Sequence, residues 1–128
     1  MTYYASDSPY ISLLNPQLIE WRDGYIQVAL DLRPEFMNRN GILHGGVTSA
    51  ILDHVGGLSG MYSDDPDNKV FGVTMNLNVN FLAPGGQGQV IATGRRVKSG
   101  RSVFFAEMQV TNGDTLVATA TGVFKLTK

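Results

Sequence analysis

The sequence lacks cysteine altogether, and it is short of charge and of long apolar runs. Without cysteine, disulfides and thiolate metal sites are excluded, and the composition fits a cytoplasmic protein. The formal net charge of −1 gives no global field that would attract nucleic acid or an acidic membrane. No apolar run approaches the roughly 20 residues that span a bilayer. We therefore expect a cytoplasmic protein that binds neither nucleic acid nor a membrane.

The length of the chain bounds its organisation. Its 128 residues are enough for one domain, 1–128, because cores usually divide only in longer chains. Charged residues make up 16% of the sequence, a low share which indicates that another subunit covers part of the surface. Residues 1–10 show no periodicity, so we expect a loose N-terminal arm there.

Period-two alternation dominates the chain outside its middle. In its clearest stretch, polar residues alternate without a break with Val73, Met75, Leu77, Val79 and Phe81. Alternation and turn residues together predict six strands, at 17–21, 25–32, 73–81, 89–98, 101–111 and 114–128. A helix inserted after the second strand makes an α+β domain. One helix covers only one face of such a sheet, so we expect oligomerisation through the sheet.

The predicted helix begins close to Gly45, in the segment His44-Gly45-Gly46, and extends to about Tyr62. At ~100° per residue its side chains separate into two faces. The apolar face carries Val47, Ile51, Val55, Leu58 and Tyr62. The small-residue face carries Gly46, Ser49, Ala50, Asp53, Gly56, Gly57 and Gly60. Glycine costs a helix roughly 1 kcal/mol relative to alanine, so we expect a second backbone, that of another copy of the helix, to lie against the small-residue face.

The chemistry of this helix is expected at its start and at Asp53, about two turns further along. The first N–H groups of a helix have no internal partner, so Gly45 and Gly46 could polarise a carbonyl as an oxyanion hole. Asp53, the only carboxylate of the helix, could attack that carbonyl or activate water; the alternative is an exposed, solvated side chain. Gly45 and Asp53 are roughly 12 Å apart at 1.5 Å per residue, so both can reach one carbonyl only across two subunits.

Together these residues form the pattern N-x-x-G-x-x-H-G-G-x6-D, from Asn38 to Asp53. It resembles the hotdog-fold acyl-CoA thioesterases, specifically the phenylacetate-degradation type within the hydroxybenzoyl-CoA thioesterase superfamily. The resemblance extends over about 14–126 and includes the strand start Gly72-Val73-Thr74. It implies a curved six-stranded antiparallel sheet around one long central helix, with homodimers that join their sheets edge to edge. A homotetramer would form by pairing two dimers.

The resemblance also implies an activity, the hydrolysis of an aryl- or medium-chain acyl-CoA without cofactor or metal. The Gly45 amide would polarise the thioester carbonyl, and His44 would support that oxygen or the leaving sulfur. Asp53 of the other subunit would be the nucleophile or general base, and Thr74 would assist it. Asn38 would bind the attacking water or orient the thioester. His54 lies outside the pattern and is interpreted as a packing or interface residue.

Substrate binding is expected at two further groups of residues. Four positive charges surround the turn between the fourth and fifth strands, Arg95, Arg96, Lys98 and Arg101. They could hold the phosphates of coenzyme A or simply protect a strand edge from aggregation, and the resemblance favours the first. The candidates for an apolar acyl pocket are Met61, Tyr62, Met75 and Phe81, each of which could also belong to the core.

A second interpretation is a non-catalytic module that binds or senses acyl-CoA. The presence of His44, Gly45 and Asp53 counts against it, because a pure binder has no use for a carboxylate beside the thioester. A hydratase or dehydratase of the same fold would need a different arrangement of Asp and His. Fold alone does not decide between these functions.

Overall fold

The structure is a computed structural model that describes residues 8–65 and 67–127. Its helices are α1 (Pro9–Leu14) and α2 (Gly45–Ser59), with a short 3-10 turn at Pro34–Phe36. Its strands are β1 (Gln17–Arg22), β2 (Tyr25–Asp31), β3 (Phe71–Phe81), β4 (Gln89–Ser99), β5 (Val103–Asn112) and β6 (Thr115–Thr127). Neither helix in these ranges is long and apolar enough to cross a membrane. All six predicted strands and the helix after the second strand are confirmed.

The strands form one antiparallel sheet in the order β1-β2-β4-β5-β6-β3. The sheet packs around α2, and the side chains of Ile51 and Val55 are completely buried between them. Gly94 of β4 lets the sheet come close, because a Cβ there would overlap the Val55 carbonyl. The Trp21 Nε1–H donates to the Leu58 carbonyl at 2.9 Å and fastens β1 to the end of α2. The predicted α+β architecture is thus confirmed.

The N-terminal segment contains a helix that the sequence did not predict. Residues 1–7 lie outside the described residues, but Pro9 and Tyr10, expected in a loose arm, begin α1. The Ser8 Oγ accepts the Ile11 N–H at 3.4 Å as an N-cap. Ile11 and Leu14 are buried in the core. At six residues α1 is too short to show a helical period, so pattern analysis could not detect it.

A bulge interrupts the alternation of β3. Thr74 pairs with Phe124 and Asn76 with Val123, which leaves Met75 without a register partner. The inward face therefore changes phase, with Gly72 and Thr74 towards α2 before the bulge and Leu77 and Val79 after it. The side chains of Val73 and Met75 are 54% and 60% exposed. The prediction of alternation without a break along β3 is wrong at this point.

The small-residue face of α2 lies against the protein's own sheet over its C-terminal half. A Cβ on Gly56 would be 2.7 Å from the Phe124 ring, and a Cβ on Gly60 would overlap the ring of Phe104. Aromatic side chains of β5 and β6 fill the space that these glycines leave. The expectation that they meet a second helix is therefore wrong. In the N-terminal half of this face, 46–53, the small residues and Asp53 are half-buried or exposed, whereas Gly56 and Gly57 are buried.

Candidate active site

The loop before α2 is organised by the side chain of Asn38. Its Oδ1 accepts the backbone N–H groups of Asn40 at 2.9 Å and of Ile42 at 3.2 Å. The Asn38 N–H in turn donates to the Ile42 carbonyl at 2.8 Å, and Gly41 supplies the positive φ of +74° that the loop requires. Because these bonds use the side-chain oxygen, the Nδ2 amide is the part of Asn38 that can donate to a ligand.

His44 is the N-cap of α2. Its Nδ1 accepts the Gly46 N–H at 2.8 Å, and its own backbone N–H donates to the Phe36 carbonyl at 2.8 Å. An acceptor at Nδ1 places the proton of the neutral ring on Nε2, which then acts as a donor. A Cβ on Gly46 would be 2.9 Å from Nδ1, so only glycine leaves room for the ring. Gly46 thus serves His44, and its amide does not belong to the oxyanion hole that we predicted.

The Gly45 amide is different, because no acceptor for it lies within residues 8–65 and 67–127. It is the first residue of α2, where the helix dipole is positive. The residue is half-buried, and a Cβ would touch the Phe81 ring at 3.3 Å. A backbone donor with no partner at a helix start can bind an anionic or polarised oxygen.

Asp53 and Thr74 meet as the sequence predicts. The Thr74 Oγ1 donates to the Asp53 Oδ1 at 2.6 Å, which joins α2 to β3. No other hydrogen bond to this carboxylate occurs in the described part of the chain, so Oδ2 keeps its lone pairs for another proton or atom. The bulge at Met75 makes this contact possible, because it keeps Thr74 on the side of α2 while Leu77 also faces inward.

The two halves of the site open into different cavities of one chain. The Asp53 cavity has a volume of about 310 Å³, and its lining includes Asp53, His54, Met61, Phe71 and Thr74. The Gly45 cavity has a volume of about 430 Å³, and its lining includes Gly45, Thr48 and Phe81. Phe71 and Phe81 are the first and last residues of β3. Within a single chain, therefore, the donor and the carboxylate are at opposite ends of the same edge strand.

The four positive charges of the β4–β5 hairpin do not share one face. Arg96 is on the side of α2, where its Nη1 is 2.9 Å from the Asp23 Oδ1. A bulge then lies between Arg96 and Lys98. Arg95 and Lys98 lie on the outer face of the sheet, away from α2, and Arg101 lies in the exposed turn. Arg95 is also 5.7 Å from the ring centre of Tyr25.

The four acyl-pocket candidates are dispersed as well. Met61 lines the Asp53 cavity, whereas Phe81 lines the Gly45 cavity. Tyr62 packs edge-on against Trp21, with ring centres 5.4 Å apart, and is a half-buried residue at the margin of the core. Met75 is exposed at the bulge and lines neither cavity.

His54 is a residue of this region for which the motif gave no role. It lines the Asp53 cavity, and burial lowers the pKa of His54 from 6.5 to about 4. Burial acts in this direction because it disfavours the charged imidazolium. At neutral pH the cavity therefore contains one carboxylate and an uncharged imidazole. The signal in the sequence was its place beside Asp53 in the helix.

Within the described ranges, no group of three or more His, Cys, Asp or Glu side chains is close enough to hold an ion. The chemistry that the residues themselves offer is acid–base and electrostatic, with a carboxylate at one end of β3 and N–H donors at the other.

Comparison with known proteins places this geometry in a family. The model of the thioesterase superfamily matches residues 40–119. The 1,4-dihydroxy-2-naphthoyl-CoA hydrolase of Listeria monocytogenes is 29% identical over 75% of this chain and 76% of its own length. The Pseudomonas aeruginosa protein PA5202 has a TM-score of 0.89 and 28% identity, covering 99% of this chain and 100% of that structure. The protein smu.793 of Streptococcus mutans, solved with acetyl CoA bound, has a TM-score of 0.77 and 26% identity, covering 88% of this chain and 89% of that structure.

The family match spans α2 with Asp53 and continues through β3, β4 and β5 into the first residues of β6. It covers more than half of the chain, and the structural matches cover nearly all of it. The resemblance and the hotdog fold expected from the motif are therefore confirmed. The chain belongs to the thioesterase superfamily, and it is a hotdog-fold thioester hydrolase.

Proposed function

We propose that this enzyme hydrolyses an aryl- or medium-chain acyl-CoA to the free acid and coenzyme A, at a site shared by two copies of the chain. The observation that carries the proposal is the placement of an amide donor without a partner and a threonine-bound carboxylate at the two ends of β3. The naphthoyl-CoA substrate of the Listeria relative and the acetyl CoA in the Streptococcus structure support a coenzyme A thioester as the substrate class.

The edge position of β3 supports a homodimer. An outer strand presents unpaired N–H and C=O groups, which are a template for pairing with another chain. Its apolar ends are uncovered, with Phe71 52% and Phe81 59% exposed. Two β3 strands paired antiparallel about a two-fold axis at Asn76 would set Phe71 of one copy opposite Phe81 of the other. The Asp53 cavity of one subunit would then adjoin the Gly45 cavity of the second.

In such a site the thioester carbonyl oxygen would accept the Gly45 N–H. Negative charge develops on that oxygen when the carbonyl carbon is attacked, and a pre-positioned donor stabilises it. The His44 Nε2–H lies at the same helix start and would support the oxygen or protonate the departing sulfur. The Nδ2 amide of Asn38 would orient the water or the thioester. Each of these donors is fixed by the backbone bonds of 38–46 before substrate arrives.

Asp53 of the second subunit would supply the attacking group. As a general base its Oδ2 takes a proton from water, whose oxygen adds to the carbonyl carbon; the C–S bond then breaks and the thiolate leaves with a proton. As a nucleophile Oδ2 adds to the carbon itself, the C–S bond breaks and the thiolate leaves with a proton, and water later cleaves the resulting anhydride to the acid and the free carboxylate. The Thr74 hydroxyl orients the carboxylate in both cases. A single turnover in oxygen-18 water separates them, because only the anhydride route places label in Asp53.

The nucleotide end of coenzyme A is expected at the β4–β5 hairpin, chiefly at Lys98 and Arg101. Both are exposed and have no ion-pair partner within residues 8–65 and 67–127, whereas Arg96 is already paired with Asp23. Arg101→Glu should weaken binding of acyl-CoA and leave a short acyl thioester without the nucleotide unaffected. Such an effect falls on KM, because the nucleotide contacts are the same in ground and transition states. Equal losses with both substrates would assign the hairpin a structural role.

The test of the proposal is thiol release from a panel of acyl-CoAs. The panel includes straight chains of graded length and arylacetyl and aroyl thioesters, with free coenzyme A measured by a thiol reagent. The expected result is turnover of at least one compact or medium-chain member, with Asp53→Asn inactive on it. Binding of several acyl-CoAs without thiol release from any of them would instead support the non-catalytic binding module.

A further inference from the structure

Met61 occupies a notch between α2 and β3 that two glycines leave open. A Cβ on Gly57 of α2 would lie 3.2 Å from the Met61 methyl, and a Cβ on Gly72 of β3 would lie 2.9 Å from it. A side chain at either position would therefore press on the methyl group and displace it. Methionine is unbranched and flexible, so its end group can move where a branched side chain could not.

The notch lies in the wall of the Asp53 cavity. Gly57, Met61 and Gly72 all line this cavity, together with the Asp53–Thr74 pair. The remaining lining residues are mainly apolar, Ile11 of α1, Leu58 of α2, Val70, Phe71 and Phe124, with Ser8 and His54 as the polar ones. An apolar space beside the reacting carboxylate can receive the acyl side of a thioester but offers nothing to the phosphates of coenzyme A.

We infer that the Asp53 cavity is the acyl pocket and that Met61 determines the size of the acyl group it accepts. This inference rests on the proposed function, because the pocket receives the acyl group only if Asp53 acts on a thioester. Met61 is a specificity-determining residue in this account and takes no part in the chemical step. Its methyl closes the space between α2 and β3 into which a longer acyl chain would extend.

The size of the cavity defines the substrate class. Its volume of about 310 Å³ lies at the low end of the ~300–1,000 Å³ usual for ligand pockets. Such a space suits a compact acyl group, an aryl or short branched one, and excludes a long straight chain while Met61 stays in the notch. The walls away from Met61 offer less freedom, because Leu58 and Phe124 are buried core residues.

The first experiment compares the wild type with Met61→Ala on acyl-CoAs of four to fourteen carbons. The substitution removes the thioether and opens the notch. One methylene in an apolar pocket changes discrimination by roughly 10-fold or more. We expect kcat/KM for long chains, relative to short ones, to rise at least about tenfold. Leu13→Ala is the matched control, since Leu13 is 68% exposed on α1 and does not line the cavity; its chain-length profile should equal that of the wild type.

The second experiment moves Met61 without removing it. A Cβ at Gly57 would press on the Met61 methyl. The same Cβ would lie 3.7 Å from the Phe124 ring, which is an ordinary van der Waals contact. Gly57→Ala should therefore push the methyl towards the cavity and shift preference to shorter acyl groups by roughly threefold to tenfold. Alanine also suits a helix interior better than glycine, so folding is favoured. The double variant Gly57→Ala/Met61→Ala should not show this shift to shorter acyl groups. It should show the same preference for long chains as Met61→Ala alone.

The outcomes separate this inference from the proposed function. If the wild type hydrolyses acyl-CoA but Met61→Ala and Gly57→Ala keep its chain-length profile, the assignment of Met61 is wrong and the activity stands. If the wild type hydrolyses no acyl-CoA, the proposed function fails. The same series is then measured as Kd by calorimetry, where an unchanged size preference in both variants overturns the pocket as well.

Discussion

The start and the middle of α2, which lie at opposite ends of β3, prepare opposite halves of one reaction in different ways. At the start, 38–46 fold on themselves, and hydrogen bonds with nearby backbone groups position Asn38 and His44. Farther along, Asp53 depends on Thr74, 21 residues later in the chain. The first region offers only N–H donors, and the second offers a carboxylate.

This difference explains why neither region is a complete site. Donors can hold and polarise a carbonyl, but they supply no nucleophile or base; a carboxylate alone supplies the base without stabilising the charge that forms. The separation along α2 prevents the two from meeting within one chain, while the exposed edge of β3 connects the cavities in which they lie. Changes at one end should therefore affect a different part of the reaction from changes at the other.

The largest effect is expected at the carboxylate end, from Asp53→Asn. The amide keeps the volume of the side chain but removes the base and the nucleophile. A general base supplies ~10²–10⁴-fold in rate, so kcat should fall by at least that range while KM changes little. Steady-state kinetics on the best acyl-CoA measure it, with the exposed hairpin substitution Asp114→Asn as control. A near-normal kcat for Asp53→Asn would show that Asp53 is not the catalytic carboxylate.

His44 tests the donor end. His44→Ala removes the Nε2–H donor and the N-cap together, while His44→Asn removes the donor and provides a side chain that can still cap. Loss of one oxyanion donor lowers kcat about 10²–10³-fold, so kcat should fall by this factor in both variants. Only the alanine variant should also lose about 1 kcal/mol of stability. If His44→Asn has the stability and the full activity of the wild type, the role of His44 is only that of an N-cap.

The carboxylate end should also respond to pH through His54. Burial lowers the pKa of His54 from 6.5 to about 4, so between these values the unfolded chain binds a proton that the folded chain refuses. Stability is therefore complete above pH 6.5 and falls as the pH drops towards 4, by about 3 kcal/mol in all. Chemical denaturation of wild type and His54→Gln across this range should show a shallower fall in the variant. Parallel curves would contradict burial of a neutral imidazole.

Thr74 gives the smallest expected effect and tests what holds Asp53. Thr74→Val keeps the shape of the side chain and removes the hydroxyl that donates at 2.6 Å. A carboxylate that loses one orienting bond should lose roughly tenfold in kcat. Thr74→Ser restores the donor and should restore most of the rate. If Thr74→Val and Thr74→Ser have the same kcat, the hydroxyl does not matter and the contact between α2 and β3 is one of packing only.

Much of this arrangement could be predicted from local patterns. Period-two alternation and turn residues together located all six strands, because half-buried strands alternate and tight turns separate them. The His-Gly-Gly segment predicted a start of α2 close to Gly45, where the helix does begin, since its backbone donors need a cap and space. Thr74 beside Asp53 came from the family resemblance, and the 2.6 Å contact confirms that the two meet.

Long-range packing could not be predicted in the same way. Glycines on a helix indicate a close neighbour without identifying it, so the Phe104 and Phe124 rings were mistaken for a second helix. The bulge at Met75 could not be detected, because the sequence of β3 alternates without interruption there. The six residues of α1 are fewer than a helical periodicity needs. The cytoplasmic location, the lack of a cofactor and the oligomeric state remain predictions.

The most direct test of a shared site is complementation between two inactive variants. Asp53→Asn keeps the donors, and His44→Ala keeps the carboxylate. When the two are unfolded together and refolded, half of the dimers should be mixed, each with one intact site of two, which gives about a quarter of wild-type activity. Asp53→Asn mixed with the Asp53→Asn/His44→Ala double variant should gain nothing. Our account predicts this recovery; mixed dimers seen by native mass spectrometry without any gain in activity would contradict it.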